Sequence, residues 1–171
     1  MLKGNLVGLR AIEKTDLTQL LQWRNNPEFR RFFREYRELN SENQLLWFEK
    51  YVINDPNTIM FAIVELETEK LIGACGLCYI DWVNRNADFS IYIGKNNLYI
   101  DTSFAIEAAQ LMENYGFEEL NLHRLWAEIY SIDEAKIKFF KELEFTQEGR
   151  FKETHWTEGK WEDSVYFGKI R

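Results

Sequence analysis

The chain has 171 residues, of which 46% are apolar, enough for the core of one ordinary domain, so the composition excludes a disordered protein. Its 28 acidic and 21 basic residues give a net charge of −7, which argues against a nucleic-acid partner because nucleic-acid-binding proteins need a basic surface. The sequence contains no apolar run of membrane-spanning length and no signal peptide. We therefore expect a single cytoplasmic domain over residues 1–171, without a membrane partner.

The first elements in the sequence pattern are one strand and one helix. Residues 5–12 alternate between two sets of side chains, which is typical of an edge strand. Thr15 or Asp16 is a suitable cap for the helix that follows. That helix is predicted to end at Asn25-Asn26-Pro27, because the residue before a proline avoids the helical conformation.

Two further helices are predicted before the strands begin. A short helix contains Phe29, Phe32 and Phe33, and Ser41 with Gln44 forms a capping box for the next one. The same region is unusually basic, and its arginines either meet an acidic acceptor, such as a nucleotide phosphate, or form a solvated helix face. These arginines are Arg24, Arg30, Arg31, Arg34 and Arg37.

Strand patterns dominate the middle of the chain. Residues 59–66 and 71–80 are rich in strand-forming side chains, and residues 67–70 join them as a hairpin turn. Residues 87–93 alternate cleanly between two faces. One face has Ala87, Phe89, Ile91 and Ile93, and the other has Asp88, Ser90 and Tyr92.

The two cysteines, Cys75 and Cys78, form a C-x-x-C motif, which is the spacing of a redox pair or of half a zinc site. They lie in the strand predicted at 71–80, where residues three apart point to opposite faces. No second C-x-x-C motif follows. We therefore interpret both cysteines as small apolar strand residues and predict no metal site.

The second half of the chain alternates between helices and strands. A long amphipathic helix is predicted over 102–117, a strand over 122–130 and a helix over 131–143, followed by strands over 145–151 and 164–170. A strand, helix, strand succession requires a parallel crossover, whereas hairpins give antiparallel neighbours. The predicted fold class is therefore α/β, with a mixed, mostly antiparallel sheet and helices on both faces.

Four segments of the sequence resemble the GNAT superfamily of N-acetyltransferases. They are the strand ADFSIYIG at 87–94, the run LNLHRLWAE at 120–128, the segment at 131–145 and the early LQWRNN at 21–26. The last of these resembles the branches that acetylate ribosomal-protein N-termini and nucleotide-linked amino sugars. The resemblance extends over nearly the whole chain and implies the acyl-CoA N-acyltransferase fold.

Several positions depart from the pattern of that family. Its phosphate loop has a Gln or Arg and two small residues where this chain has Ile100, Ser103 and Ala105, and only Ala105 fits. In the segment at 131–145 the family's Asn and Tyr are replaced by Asp133 and Phe140. The departures leave a second reading open, a non-catalytic acyl-CoA-binding or interaction module on the same fold.

The resemblance implies direct transfer of an acetyl group from acetyl-CoA to an amine. The pyrophosphate is expected at the backbone amides that open the long helix, because helix N-termini bind anions. Asp101 either repels that phosphate or merely caps the helix. The resemblance implies that the pantetheine lies along the main chain of the strand at 89–94, where this strand diverges from the one at 122–130. The implied cofactor-binding residues are Ile91, Ile93, Asp101, Thr102, Ser103, Phe104, Ala105, Asp133, Lys136 and Phe140.

The reaction also needs a base for the ammonium and an acid for the departing thiolate. Asp88, acting directly or through water, is the first candidate base, and Glu128 is the second. Phe140 cannot donate a proton, so Tyr130 and Ser131 are the candidate donors. The expected partners are a small-molecule or peptide amine and no nucleic acid, with the protein acting as a monomer or homodimer.

Overall fold

The computed structural model describes residues 1–171 and contains one eight-stranded sheet in the order β1-β2-β3-β4-β5-β6-β8-β7. Every neighbouring pair of strands is antiparallel except β5 and β6, which are parallel. The predicted fold class is confirmed. The strands are β1 (Leu2–Lys3), β2 (Val7–Ala11), β3 (Ile59–Glu65), β4 (Leu71–Asp81), β5 (Asn86–Ile93), β6 (Arg124–Tyr130), β7 (Thr146–Thr157) and β8 (Lys160–Ile170).

Helices cover both faces of the sheet. The first three helices and their connections pack on one face, and the last two helices pack on the other. None of the helices is both long and apolar enough to cross a membrane. The helices are α1 (Leu17–Asn25), α2 (Pro27–Arg30), α3 (Ser41–Trp47), α4 (Phe104–Asn114) and α5 (Glu134–Glu142), and α3 and α4 continue as π-helical segments over Phe48–Ile53 and Tyr115–Glu119.

The alternation of β5 divides its side chains between two cores, as the sequence predicts. Phe89, Ile91 and Ile93 belong to the larger core beneath α4 and α5. Tyr92 belongs to the smaller core beneath α1–α3. Strand β6 alternates in the same way, and Glu128 and its neighbours on that face lie on the side of α1–α3. The two central strands therefore present polar side chains to one common side of the sheet.

Helix α1 is held close to the end of β5 by a glycine. A Cβ atom at Gly94 would lie 2.0 Å from the ring of Trp23, a distance that two carbon atoms cannot adopt. Only a residue without a side chain fits between the indole and the strand end. This contact places Arg24, the next residue of α1, beside the face of β5.

Two predicted strand features differ from the structure. The strand predicted at 5–12 is β2, but it is not an edge strand, because β1 pairs outside it. The turn between them is fixed by Glu107 of α4, whose carboxylate accepts the backbone amides of Asn5, Leu6 and Val7. The last hairpin is longer than predicted, because the distal part of β7 is exposed and has no apolar alternation.

The predicted capping box of α3 is also displaced by one residue. The reciprocal pair consists of Asn40 and Asn43: the Asn40 side chain accepts the Asn43 amide at 2.8 Å, and the Asn43 side chain accepts the Asn40 amide at 3.2 Å. Ser41 is therefore the first helical residue rather than the cap. Gln44, the predicted second member of the capping box, takes no part in it.

Candidate functional site

The two parallel strands at the centre of the sheet separate after a short contact. Their ladder contains only three register pairs, which join Asn86–Asp88 to Arg124–Trp126. Beyond Asp88 the strands diverge, so the main chain of β5 has no strand partner at Ile91 on the side that faces β6. At Ile93 that edge is closed again, because the Ile93 amide donates to the Tyr99 carbonyl at 2.7 Å. The divergence predicted from the resemblance is present.

A cleft of about 430 Å³ lies beside this fork. Its lining comes from α1, α3, the segment after α2, the strands β4–β6 and α5. A cleft of this volume suits a small ligand. The residues with polar side chains that line it include Arg24, Arg34, Glu35, Gln44, Asp55, Asp88, Ser90, Glu128, Tyr130 and Lys136.

Arg34 joins two carboxylates at the fork. Its Nη1 donates to Asp88 Oδ2 at 2.7 Å and its Nη2 donates to Glu128 Oε2 at 3.4 Å. Glu128 Oε1 also accepts the hydroxyl of Ser164 at 2.6 Å. Burial raises the pKa of Asp88, which is only 4% exposed, and the Arg34 guanidinium opposes that rise. The two carboxylates that the sequence singled out are thus brought to one place.

Tyr130 lines the cleft and packs against the last hairpin. Its ring stacks on His155 of β7 with the ring centroids 3.5 Å apart. The hairpin tip is tied to the segment after α2 by Arg31, whose Nη2 donates to Glu158 at 3.0 Å. Burial raises the pKa of Tyr130. The hairpin therefore packs against Tyr130 and is tied to the segment after α2, although none of its own residues lines the cleft.

Ser131, the other predicted proton donor, does not line the cleft. Its Oγ donates to Glu162 Oε2 at 2.9 Å and accepts the Asp163 amide at 3.2 Å. Both partners belong to β8. Ser131 therefore holds the end of β6 to its neighbouring strand, and of the two candidate donors only Tyr130 lines the cleft.

Two predicted cofactor-binding residues, Asp133 and Lys136, meet Tyr99 at the start of α5. The carboxylate of Asp133 caps the helix by accepting the Lys136 amide at 3.0 Å. It also accepts the hydroxyl of Tyr99 at 2.5 Å in a buried contact. The Lys136 Nζ lies 5.0 Å from the centre of the Tyr99 ring and lines the cleft. Desolvation lowers the pKa of Lys136, and no hydrogen bond to its amine opposes this effect.

Phe140 lies in the core and not in the cleft, although the resemblance implies a cofactor-binding role for it. It is 1% exposed, and its ring packs against Phe89 and Phe145 with centroid distances of 5.8 and 4.9 Å. Ile91 and Ile93 are also core side chains. The main chain of Ile91 faces the open edge, whereas the Ile93 amide is bonded to the Tyr99 carbonyl.

The start of α4 differs from the expected phosphate site. The carboxylate of Asp101 accepts the backbone amides of Ser103, Phe104 and Ala105 at 2.7–3.1 Å, and also the Ser103 hydroxyl at 2.7 Å. The amides predicted to be free for a pyrophosphate are thus already bonded to an anion of the chain itself. Of the two readings of Asp101, the cap is the one present in the structure.

The two cysteines point to opposite faces of β4, as predicted. Cys75 is fully buried in the larger core, whereas Cys78 lines the cleft. Both are free thiols. Burial raises the pKa of Cys78 to about 12 and that of Cys75 further. Neither thiol is available as a nucleophile near neutral pH.

Several polar residues of the cleft were not predicted as site residues, among them Arg34, Arg24 and Gln44. Arg24 was noted only as a member of the basic stretch, and its exposure could not be decided from the sequence. Gln44 was assigned to the capping box. The signal that could have found Gln44 is its spacing from Trp47, because residues three apart on a helix share one face.

Comparison with known proteins places this geometry in a family context. The family model described as an acetyltransferase (GNAT) domain matches residues 7–146. The spermidine N(1)-acetyltransferase of Escherichia coli K12 is 31% identical over 166 residues, covering 96% of this chain and 86% of that protein. An uncharacterized N-acetyltransferase, p20 of Bacillus licheniformis, is 27% identical over 165 residues, covering 95% and 92%.

The fold is similar to that of solved structures in the same group. The crystal structure of spermidine N-acetyltransferase from Vibrio cholerae in complex with CoA and spermine has a TM-score of 0.89 to this chain. The match covers 98% of this chain and 96% of that one, at 23% sequence identity. At this identity the match establishes the fold, which places the fork between β5 and β6 in a known architecture.

Proposed function

Because the chain belongs to the acetyltransferase (GNAT) family and is an acetyl-CoA-dependent N-acetyltransferase, we propose that it acetylates a primary amine held in the cleft beside Asp88. The observation on which the proposal rests is the fork, where the open edge of β5 adjoins a buried carboxylate. We further propose that the chain acts as one domain in the cytoplasm. Acetyl-CoA supplies a thioester whose carbonyl carbon the amine attacks and whose thiolate then leaves.

The open main chain of β5 is the proposed binding edge for the pantetheine arm. Its groups at Ile91 face the gap left by β6 and are not used by another strand. Backbone donors and acceptors at such an edge seek partners, as an added strand would provide. At the start of α4, a phosphate must displace the Asp101 carboxylate from the amides of residues 103–105 or bind beside it. The residues of the chain therefore fit the arm better than they fit the phosphates.

Asp88 is the proposed proton acceptor. An amine with an ordinary pKa near about 10 is protonated at neutral pH and must lose a proton before it can attack. Burial raises the pKa of the Asp88 carboxyl, which strengthens it as a base. Arg34 holds Asp88 and Glu128 in fixed positions at the fork, so the second carboxylate is close enough to take over part of this role.

Tyr130 is the proposed proton donor to the thiolate. It lines the cleft at the end of β6, and its raised pKa keeps the phenol protonated. A thiol has an ordinary pKa of about 8.5, so the thiolate leaves with modest help. Lys136 is the second candidate, because its amine lines the same cleft without a hydrogen-bond partner.

The acceptor is proposed to be an amine of a small molecule or peptide. Spermidine is the first compound to test, because two relatives at 31% identity are spermidine N(1)-acetyltransferases. The cleft volume of about 430 Å³ is compatible with an acceptor of that size.

Two measurements test the proposal. Thermal unfolding with CoA or acetyl-CoA should show a rise in Tm, because a ligand at 100 times its Kd adds about 2.7 kcal/mol of stability. Thiol release from acetyl-CoA in the presence of a panel of amines should then identify acceptors, with Asp88→Asn as the inactive control. Absence of CoA binding at millimolar concentration, or absence of thiol release with every amine, would contradict the proposed function.

A further inference from the structure

One side chain inside the cleft is buried without any partner. Gln44 is 1% exposed, and neither its Oε1 nor its Nε2 makes a hydrogen bond. An amide left unpaired in a buried position is destabilising, so such a group is usually satisfied by something else. Gln44 lines the cleft. Its amide is therefore available to a ligand there.

A cation lies beside it without a hydrogen-bonded partner. The Arg24 guanidinium lies 5.2 Å from the centre of the Trp47 ring. Burial lowers the Arg24 pKa, and the nearby Glu35 carboxylate, which forms no ion pair with Arg24, opposes that effect. Trp47 follows Gln44 by three residues in α3, so the two side chains share a face of that helix. Arg24, Gln44 and Trp47 thus meet at one place in the cleft, on the side of α1 and α3.

Every carboxylate that lines the cleft is, by contrast, already bonded. Arg34 donates hydrogen bonds to the carboxylates of Asp88 and Glu128. Arg37 holds Glu35 through its amide and guanidinium, which lowers the Glu35 pKa to about 2. Asp55 accepts the Asn57 amide and the Thr58 hydroxyl. Three of these carboxylates are paired with a guanidinium and therefore attract a polycation less strongly, whereas the Arg24 guanidinium and the Gln44 amide make no hydrogen bond.

We infer that the acceptor amine of the proposed reaction also carries an oxyanion, either a carboxylate or a phosphate, which binds Arg24 and Gln44. The inference rests on the proposed function. The guanidinium donates to the oxyanion in a charge-assisted contact. The Gln44 Nε2 donates to a second oxygen, and its Oε1 accepts an N–H or O–H of the same molecule. The acceptor class is therefore an amino acid, peptide or phosphorylated amine rather than an unsubstituted polyamine.

Matched pairs of acceptors test this inference by thiol release. Glycylglycine is compared with its amide, glucosamine 6-phosphate with glucosamine, and spermidine serves as the polycation. At least one anionic member should exceed its neutral counterpart about 10- to 100-fold in kcat/KM, the range expected for a bond to a charged group. The pair that shows the preference identifies the oxyanion. A higher rate for spermidine than for all anionic members would overturn the inference.

Variants locate the preference. Arg24→Met should abolish the advantage of the anionic acceptor, measured as the ratio of kcat/KM for the anionic and neutral members, mainly by raising KM for the anionic one. Arg24→Lys should retain part of the advantage, because it keeps the charge but not the fork. Arg30→Met is the matched control, since Arg30 pairs with Glu38 outside the cleft. An unchanged preference in Arg24→Met would overturn the inference.

Gln44→Leu provides a readout that a structural role would not produce. Replacing an unpaired buried amide with an apolar group of similar size should raise Tm. The same variant should lose part of the preference for the anionic acceptor. A fall in Tm with an unchanged preference would show that Gln44 serves only the fold.

Binding separates this inference from the proposed function. Thermal shifts with glycylglycine and glucosamine 6-phosphate, at saturating CoA, are measured in the wild type and in Arg24→Met. If no amine releases thiol, the proposed reaction fails, but a shift that Arg24→Met removes would still support the anion subsite. Turnover of neutral amines without any anionic preference would refute the subsite alone.

Discussion

Two aspartates, Asp88 in β5 and Asp101 before α4, have pKa values shifted in opposite directions. Asp88 is almost fully buried and bonds to one guanidinium, and burial raises its pKa. Asp101 is partly buried, which opposes its ionisation, but the Ser103 hydroxyl and three backbone amides outweigh this effect and lower its pKa. One side chain is thus prepared to exchange a proton and the other to remain an anion.

The difference shows how the environment assigns roles to identical side chains. A carboxylate with several donors is stabilised in its charged form and makes a poor base. A carboxylate with few donors in a dry position is more basic and better suited to accept a proton. At the proposed transfer end, the raised pKa of Asp88 therefore favours proton acceptance. At the start of α4, the backbone amides already bond to Asp101 and must exchange this partner to bind a phosphate.

The largest expected effect comes from removing the proposed base. Asp88→Asn should lower kcat by about 10²- to 10⁴-fold, the usual contribution of a general base. In the wild type, activity should rise with pH through a pKa above the ordinary Asp value, because burial raises the pKa and only the ionised form accepts a proton. The variant should lose this acidic limb. A retained limb would identify Glu128 as the base, to be checked with Glu128→Gln.

The proton donor at the same end should produce a smaller effect. Tyr130→Phe should lower kcat about 10- to 100-fold, because the thiolate is a good leaving group and needs less help than the general range for an acid. Tyr36→Phe is the control, since Tyr36 is 80% exposed. If Tyr130→Phe is fully active and Lys136→Met is slow, Lys136 is the donor instead.

A hydroxyl at residue 140 tests whether this position belongs to the transfer end or to the core. Phe140 is surrounded by other aromatic rings, so Phe140→Tyr should lower the free energy of unfolding by about 1–3 kcal/mol, the cost of a buried unpaired hydroxyl. Chemical denaturation measures it. A gain in kcat without loss of stability would show that residue 140 does face the sulfur.

The smallest expected effect concerns the start of α4, where Asp101 accepts the backbone amides. Asp101→Ala should tighten CoA binding several-fold, because it frees three amides and removes a negative charge, at a stability cost of about 1 kcal/mol for the lost cap. Asn40→Ala removes the cap of α3 and should cost similar stability without changing CoA affinity. Calorimetric titration with CoA measures both. Weaker binding in Asp101→Ala would show that the carboxylate orders the loop.

The periodic parts of the fold were predictable from the sequence, which also singled out Asp88 and Glu128 as candidate bases but not Arg34, the residue that joins them. The alternation of residues 87–93 alone assigns Asp88 to the face opposite Ile91, and the helix–strand succession requires one parallel pair. Both follow from local spacing. The divergence of β5 and β6 came from the family resemblance and not from the pattern.

Choices between equivalent partners were not predictable. Asn40 with Asn43 and Ser41 with Gln44 have the same spacing, and the structure uses the first pair. Whether Arg24 faces water or the cleft depends on Trp47, which is brought beside it only by the packing of α3 on α1. These outcomes depend on contacts between distant segments, which a local pattern does not contain.

The burial of the two thiols has a practical consequence for studying this enzyme. Disulfide reagents react with thiolates. Because burial raises the pKa of both thiols, neither Cys75 nor Cys78 ionises to a significant extent at assay pH. The colour developed by an aromatic disulfide during turnover should therefore come from the released coenzyme and not from the native protein. A slow rise in colour without acceptor would instead signal unfolding, so a single instrument trace can report both catalysis and the integrity of β4.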